Sequence, residues 1–139
     1  MTDRQRMVEH FHRMFDILIN ERPTPLDERT KALRVRLIQE EFEELKEAMD
    51  RGHLPSVAKE LADLLYVVYG TAVSYGIDME PVFREVHRSN LSKVGGHKRE
   101  DGKWIKPATY SPADIAPILG EQGAATVTRA EVREVSQGG

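Results

Sequence analysis

Two pairs of acidic residues have a spacing that suits metal chemistry. Glu41 and Glu44 stand three residues apart, and after fifteen intervening residues Glu60 and Asp63 repeat this spacing. Residues three apart on a helix lie on the same side of it, so each pair would direct two carboxylates the same way. Carboxylate oxygens are the ligands that Mg²⁺ prefers in proteins. If the two helices lie antiparallel, the four side chains meet in one volume, as in carboxylate-metal bundles.

The acids around Glu41 fall into two groups on a helical wheel. At about 100° per residue, Glu41 lies inside the apolar arc of its helix, whereas Glu40 and Glu44 lie at the edge of that arc. Glu43 lies on the opposite side, where a charge is ordinarily solvated. The residues of the apolar arc are Leu37, Phe42, Leu45 and Met49. The pattern therefore predicts that Glu41 points toward the protein interior.

Such buried acids need a compensating positive charge. A buried carboxylate without a partner costs several kcal/mol or takes up a proton. The nearest basic residues in the sequence, Lys46 and Lys59, are expected to point toward other faces. Two explanations remain open from the residues alone. Either a divalent cation binds the four acids, or arginines and lysines from elsewhere in the chain form ion pairs with them.

The elements that position these acids are predicted to be four helices. The first extends from about Arg4 to Ile19, and the second begins near Thr24 and Pro25 and ends at Gly52. The other two helices are predicted over the ranges 55–75 and 78–94. The third is apolar on nearly every side, which predicts that protein surrounds it, and Gly76 follows it as a left-handed cap.

The rest of the chain is predicted to be a basic arm and a tail. Asp101 and Gly102 form a turn signal, and Ser111 with Pro112 can start one short helix. We therefore predict an all-α fold with a four-helix-bundle core and an irregular basic C-terminal arm. The predicted division is a helical domain over residues 1–95, the arm over 96–120 and a flexible tail over 121–139.

Composition excludes several classes of protein and favours an oligomer. The chain has 139 residues, a net charge of −3 and no cysteine, which excludes disulfides and thiolate metal sites and fits the cytoplasm. No apolar run is long enough to span a membrane. The charge is unevenly distributed, with −5 over residues 40–63 and +4 over residues 84–106. Because one helix is apolar on all sides, we expect at least a homodimer.

The sequence resembles the MazG-like all-α nucleoside triphosphate pyrophosphatases. The resemblance lies in EEFEE followed by ELADLL at this separation, in the order of the helices and in the SNLSKVGG segment. It covers about residues 5–95 and extends more loosely over the arm. Phosphoribosyl-ATP pyrophosphohydrolases are relatives within the same superfamily. The single short domain is most similar to the MazG-like enzymes that act on dUTP and related deoxynucleotides.

The resemblance implies a reaction and a set of site residues. The family cleaves between the α and β phosphates and gives a nucleoside monophosphate and pyrophosphate, with Mg²⁺ or Mn²⁺ on the acidic motif. The implied metal ligands are Glu41, Glu44, Glu60 and Asp63, and Glu40 is the candidate general base or a further ligand. The candidate substrate-binding residues are Asn90, Lys93, Lys98 and Arg99. Trp104 is expected to be a core anchor for the tail, with stacking on a base as the alternative.

Other functions remain as alternatives. One is a broad-specificity housecleaning enzyme or a phosphoribosyl-ATP-type pyrophosphohydrolase. Another is a non-catalytic helical dimerisation or regulatory module whose acids pair with arginines of a partner. Nucleic-acid binding by the basic arm is disfavoured because the acidic half of the chain would repel a duplex. The sequence contains neither a Walker-type phosphate loop nor a helical zinc motif.

Overall fold

The protein is mostly helical, which confirms the all-α prediction. The structure is a computed structural model that describes residues 1–124. Its helices are α1 (Asp3–Met14), α2 (Glu28–Arg51), α3 (Leu54–Tyr75), α4 (Met79–Leu91) and α5 (Ala116–Glu121), and its strands are β1 (His97–Lys98) and β2 (Trp104–Ile105). The strands form an antiparallel hairpin in which His97 is paired with Ile105. Within the described residues, no helix is long and apolar enough to cross a membrane.

The chain divides into two compact units. The first comprises Met1–Met79 and the second begins at Glu80. The boundaries predicted after residues 95 and 120 remain predictions. Most of the predicted tail, residues 125–139, lies outside the described residues.

The ends of α2 and α3 were predicted correctly, whereas the start of α2 and the end of α1 were not. Gly52 (φ 68°) and Gly76 (φ 74°) close α2 and α3 in the left-handed conformation, as predicted. The predicted start of α2 at Thr24 is wrong. The helix begins after Asp27, whose side chain accepts a 2.8 Å hydrogen bond from the Thr30 amide. The first helix ends at Met14, five residues before the prediction.

Residues 15–27 lie across the C-terminal end of α3. The Thr24 amide donates to the Tyr75 carbonyl at 2.8 Å, and the Asn20 side-chain amide donates to the Ser74 carbonyl at 2.7 Å. The last carbonyls of a helix have no partners within the helix itself. This segment supplies hydrogen-bond donors for these carbonyls. Its residues, including Thr24 and the prolines beside it, therefore lie against α3 and do not begin α2.

The core of the first unit is small. It forms where α3 contacts both α2 and α1. Its buried apolar residues are Val8, Leu45, Ala48, Ala72 and Val73. Phe42 and Met49, which the wheel placed in the buried arc, are 49% and 61% exposed. Leu61 and Leu65 of α3 are about half exposed, so the single chain does not surround this helix, and its cover by a second copy remains a prediction.

A buried arginine joins α2 to α3. Arg34 is 5% exposed, and its guanidinium donates to the Thr71 hydroxyl at 3.1 Å and to the Val67 carbonyl at 2.9 Å. Gly70 provides the space, because a Cβ there would overlap the guanidinium. Burial lowers the pKa of the nearby His12, whose Nδ1 lies 3.1 Å from the Leu18 carbonyl. The carbonyl only accepts, so Nδ1 carries the proton.

In the second unit, polar contacts hold the segment after the hairpin against α4. Arg88 forms an ion pair with Glu85 and donates to the Ser111 hydroxyl and the Pro112 carbonyl at 3.1 Å. Glu85 also accepts from the Asp114 amide at 3.0 Å. The prediction that Ser111 and Pro112 start a helix is wrong, because these residues bind Arg88 and α5 begins at Ala116.

The hairpin is attached to the residues that follow α4. Its turn contains Asp101 and Gly102 (φ 90°), as the sequence indicates. Trp104 donates its indole N–H to the Lys93 carbonyl at 2.7 Å and is 41% exposed, so it anchors the hairpin by a hydrogen bond and not from the core. Gly96 permits the close approach, since a Cβ there would overlap the Ile105 carbonyl oxygen.

Candidate metal centre

Three of the predicted ligands meet between α2 and α3. Glu41 comes from α2, and Glu60 and Asp63 come from the first half of α3. Each offers one carboxylate oxygen, and these three oxygens lie within 4.8 Å of one another. The two helices are connected at Gly52 and His53, and this short connection turns α3 back along α2. Among residues 1–124, no other group of three or more such side chains could hold a metal ion.

Two of the oxygens in this cluster are buried without partners. Glu41 Oε2 and Glu60 Oε2 are inaccessible to solvent and accept no hydrogen bond. Burial, and then the neighbouring acids Glu44, Asp63 and Glu60, raise the pKa of the Glu41 carboxyl. A buried acceptor without a partner costs about 1–3 kcal/mol. The arrangement is therefore unfavourable unless a cation or a proton satisfies these oxygens.

The cluster fits a small divalent cation. Mg²⁺ binds oxygen ligands at about 2.0–2.1 Å in octahedral geometry, which places neighbouring ligands about 2.9 Å apart and opposite ligands about 4.2 Å apart. Three oxygens that all lie within 4.8 Å of one another are compatible with both separations. The donors are all carboxylates, which suits Mg²⁺ or Mn²⁺ better than zinc or copper. Three protein ligands would leave positions open for water and substrate.

The other two predicted acids of α2 lie outside this three-residue cluster. Glu44 is exposed, but its charge lies close enough to Glu41 to raise the pKa of that carboxyl. Glu40 is exposed at the helix surface. Their roles as fourth ligand and general base remain predictions.

Lys59 contacts the cluster, contrary to the prediction that it points to another face. Its Nζ lies 2.7 Å from Asp63 Oδ2 and 3.5 Å from Glu60 Oε1. The hydrogen bond to Asp63 raises the pKa of Lys59, so the ammonium stays charged. The spacing could have revealed this contact, because residues four apart on a helix are neighbours. Lys46 does point away, toward Glu43 at 3.6 Å.

The four predicted substrate-binding residues all lie in the second unit. Asn90 is exposed in the last turn of α4, and Lys93 follows it with Nζ 5.9 Å from the centre of the Tyr110 ring. Lys98 is exposed on β1. Arg99 is paired with Asp101, which raises the pKa of its guanidinium.

A second lysine of the arm lies at Tyr110. Lys106, which the sequence suggests only as one of several arm lysines that could reach phosphate, has its Nζ 4.6 Å from the centre of that ring, nearer than Lys93. Both distances are typical of cation–π contacts. The alternation of lysines with aromatic residues in the arm is the only sequence signal for this arrangement, and it is a weak one.

A comparison with known families finds a match over the part of the chain that contains these acids. The profile of the family described as phosphoribosyl-ATP pyrophosphohydrolase matches residues 8–90. The matched region is more than half of the chain and includes α2, α3 and the three clustered carboxylates. No curated protein matches the chain. This family belongs to the MazG-like superfamily that the sequence resembles. Because the match covers more than half of the chain, the chain is a member of the phosphoribosyl-ATP pyrophosphohydrolase family.

Proposed function

We propose that this protein is a Mg²⁺-dependent nucleoside triphosphate pyrophosphohydrolase with dUTP as its first expected substrate. Membership of the family makes it a pyrophosphohydrolase, a hydrolase that acts on an acid anhydride of a nucleotide-related substrate. The observation that carries the metal dependence is the cluster of Glu41, Glu60 and Asp63, in which two buried oxygens have no partner. The proposed preference for dUTP rests on the resemblance of the single short domain to the MazG-like enzymes that act on dUTP.

The clustered carboxylates would hold the cation. Glu41, Glu60 and Asp63 supply one oxygen each, and Glu44 is the proposed fourth ligand. When bound, Mg²⁺ or Mn²⁺ would neutralise phosphate charge and lower the pKa of a bound water. Glu40, exposed and beside Glu41, is the proposed group that accepts the proton of the attacking water.

The basic residues of the second unit are proposed to bind the substrate. Lys93 and Lys98 would contact phosphate oxygens, since neither forms an ion pair within residues 1–124. Arg99 could do so only after it exchanges Asp101 for a phosphate. Asn90, with both donors and an acceptor, would contact the sugar or the base.

The family profile favours a second candidate substrate, phosphoribosyl-ATP. Hydrolysis of its α–β phosphate bond would use the same carboxylates and would also release pyrophosphate. The two candidates differ in what must be recognised at the base and ribose.

Pyrophosphate release from a panel of substrates tests both candidates. Purified protein should be incubated with Mg²⁺ and with dUTP, dCTP, dTTP or phosphoribosyl-ATP, each with and without EDTA. Release from dUTP with the highest kcat/KM supports the first proposal, and release from phosphoribosyl-ATP alone supports the second. No release from any triphosphate, or release that EDTA does not reduce, would overturn the metal-dependent function.

We also propose that the chain forms at least a homodimer. Val35, Phe42 and Met49 are 60%, 49% and 61% exposed on α2. Their seven-residue spacing keeps them on one stripe of the helix. Monomeric proteins rarely expose such continuous apolar surface. Light scattering should give twice the chain mass or more, and Met49→Glu should shift the protein toward the monomer. A monomeric wild type at micromolar concentration would refute this proposal.

A further inference from the structure

Lys59 is the only basic side chain of residues 1–124 that forms an ion pair with the acidic cluster. Its ammonium lies 2.7 Å from Asp63 Oδ2 and 3.5 Å from Glu60 Oε1. The side chain is 69% exposed and is attached through a flexible four-carbon stem. It can therefore leave the carboxylates without any change in the helix.

The charges explain what this contact does. Glu41, Glu60 and Asp63 carry three negative charges when ionised, and Lys59 neutralises one of them. The ammonium binds one oxygen of Glu60 while the other, Oε2, stays buried without a partner. Asp63 and Glu60 are thus both partners of the ammonium and candidate ligands of a divalent cation.

We propose that Lys59 is an internal counter-ion of the metal site, which holds Asp63 and Glu60 when no divalent cation is bound and weakens the binding of free cations. This inference rests on the proposed metal-dependent function. A dication beside these carboxylates must displace the ammonium or remain close to a like charge, and both lower its affinity. Weak binding of the free ion favours loading of the cation together with the nucleotide, whose phosphates add further negative charge.

The alternative is an ordinary surface ion pair. Exposed pairs four residues apart on a helix contribute little to stability, and many contribute nothing measurable. Lys46 and Glu43 provide the matched control. They form a similar pair on α2, with side chains that are 57% and 59% exposed, away from the cluster. Changes at Lys59 and Lys46 remove the same charge from the protein, so only a local effect distinguishes them.

Binding of Mn²⁺ to the full chain without nucleotide tests the proposal. The electron paramagnetic resonance signal of free Mn²⁺ gives the Kd for the wild type and for Lys59→Met, Lys59→Arg and Lys46→Met. We expect Lys59→Met to lower the Kd roughly two- to fivefold, an effect of the size that exposed ion pairs produce. Lys59→Arg should restore a Kd near the wild-type value, and Lys46→Met should leave it unchanged. An unchanged or higher Kd for Lys59→Met, or an equal decrease for Lys46→Met, would overturn the proposal.

The same titration separates the two possible failures. If the wild type binds Mn²⁺ and Glu41→Gln abolishes the binding, the metal site stands, and an unchanged Kd in Lys59→Met rejects the role of Lys59 alone. If neither the wild type nor Lys59→Met binds Mn²⁺ at millimolar concentration, the metal-dependent function and this inference fail together. Melting temperatures without metal, measured on each variant, establish that the proteins compared are folded.

Discussion

Replacing Glu41 with Gln removes a negative charge from a buried oxygen that has no partner. Glu41 Oε2 accepts no hydrogen bond, and the carboxyl forms no ion pair within residues 1–124. Burial and three neighbouring acids all disfavour its charged form. The amide keeps the shape of the side chain and removes the repulsion. We therefore expect the metal-free variant to melt at the same temperature as the wild type or slightly higher.

The expected sizes can be worked out for stability and for activity. An unsatisfied buried group costs about 1–3 kcal/mol, and the amide recovers only part of this cost, so a gain of up to about 1 kcal/mol is expected. For a chain of this length, 1 kcal/mol corresponds to about 3–5 °C in melting temperature. Even partners that only orient a ligand are worth about 10–100-fold in activity. Loss of the ligand itself should lower kcat/KM by at least about 100-fold.

The assay combines melting without metal and pyrophosphate release with Mg²⁺. Glu43→Gln is the control, because this side chain is 59% exposed and paired only with Lys46. The control should change stability by less than about 0.5 kcal/mol and should keep its activity. If Glu41 instead served a buried ion pair, its loss would cost about 3–5 kcal/mol. A Glu41→Gln protein that melts far lower but hydrolyses nucleotide at the wild-type rate would refute the metal site.

Three further changes test the packing that surrounds the site. Gly70→Ala should destabilise the protein by about 1–3 kcal/mol in urea unfolding, because the new methyl group overlaps the buried Arg34 guanidinium; an unchanged midpoint would contradict this contact. Gly96→Ala should displace the hairpin, because its Cβ overlaps the Ile105 carbonyl oxygen; the fluorescence of the single tryptophan should change while the helical circular dichroism does not. Hydrogen bonds from an arginine and then from a backbone amide lower the pKa of Glu85 from 4.5 to about 2. The stabilisation from this depressed carboxyl is complete above pH 4.5 and is lost as the pH falls through about 2. The tryptophan fluorescence should therefore change between these pH values as the arm is released. In Glu85→Gln this pH-dependent change in fluorescence should be absent.

Helix ends that depend on a single residue were predictable from the sequence. Gly52 and Gly76 adopt positive φ, which few other residues tolerate, and both helices stop where these glycines stand. The start of α2 was not predictable from its local signals. Thr24 and Pro25 resemble a helix start, but Thr24 instead binds the end of α3, a contact between residues about fifty positions apart. Local patterns cannot report such a partner.

The three clustered carboxylates were placed correctly from the sequence, and the residues around them less well. The helical wheel correctly directs Glu41, Glu60 and Asp63 to one place, because three-residue spacing on two adjacent helices leaves little choice. The wheel gives the direction of a side chain but does not show whether another element packs against it. Phe42 was therefore predicted to be buried, although the structure leaves it half exposed. The wheel does indicate the contact of Lys59, because Lys59 and Asp63 stand four residues apart on the same face of α3, and this spacing was overlooked.

The segment over residues 15–27 has a consequence for how the chain could be cut and rejoined. Its prolines and polar residues suggest a connection that tolerates new termini. Its Asn20 and Thr24, however, supply hydrogen bonds to the last carbonyls of α3. A circular permutant opened within this segment would therefore lose the end of α3 along with the link between α1 and α2. A permutant opened in the hairpin turn at Gly102, where a Cβ would meet no other atom, would leave every helix of the first unit connected as before.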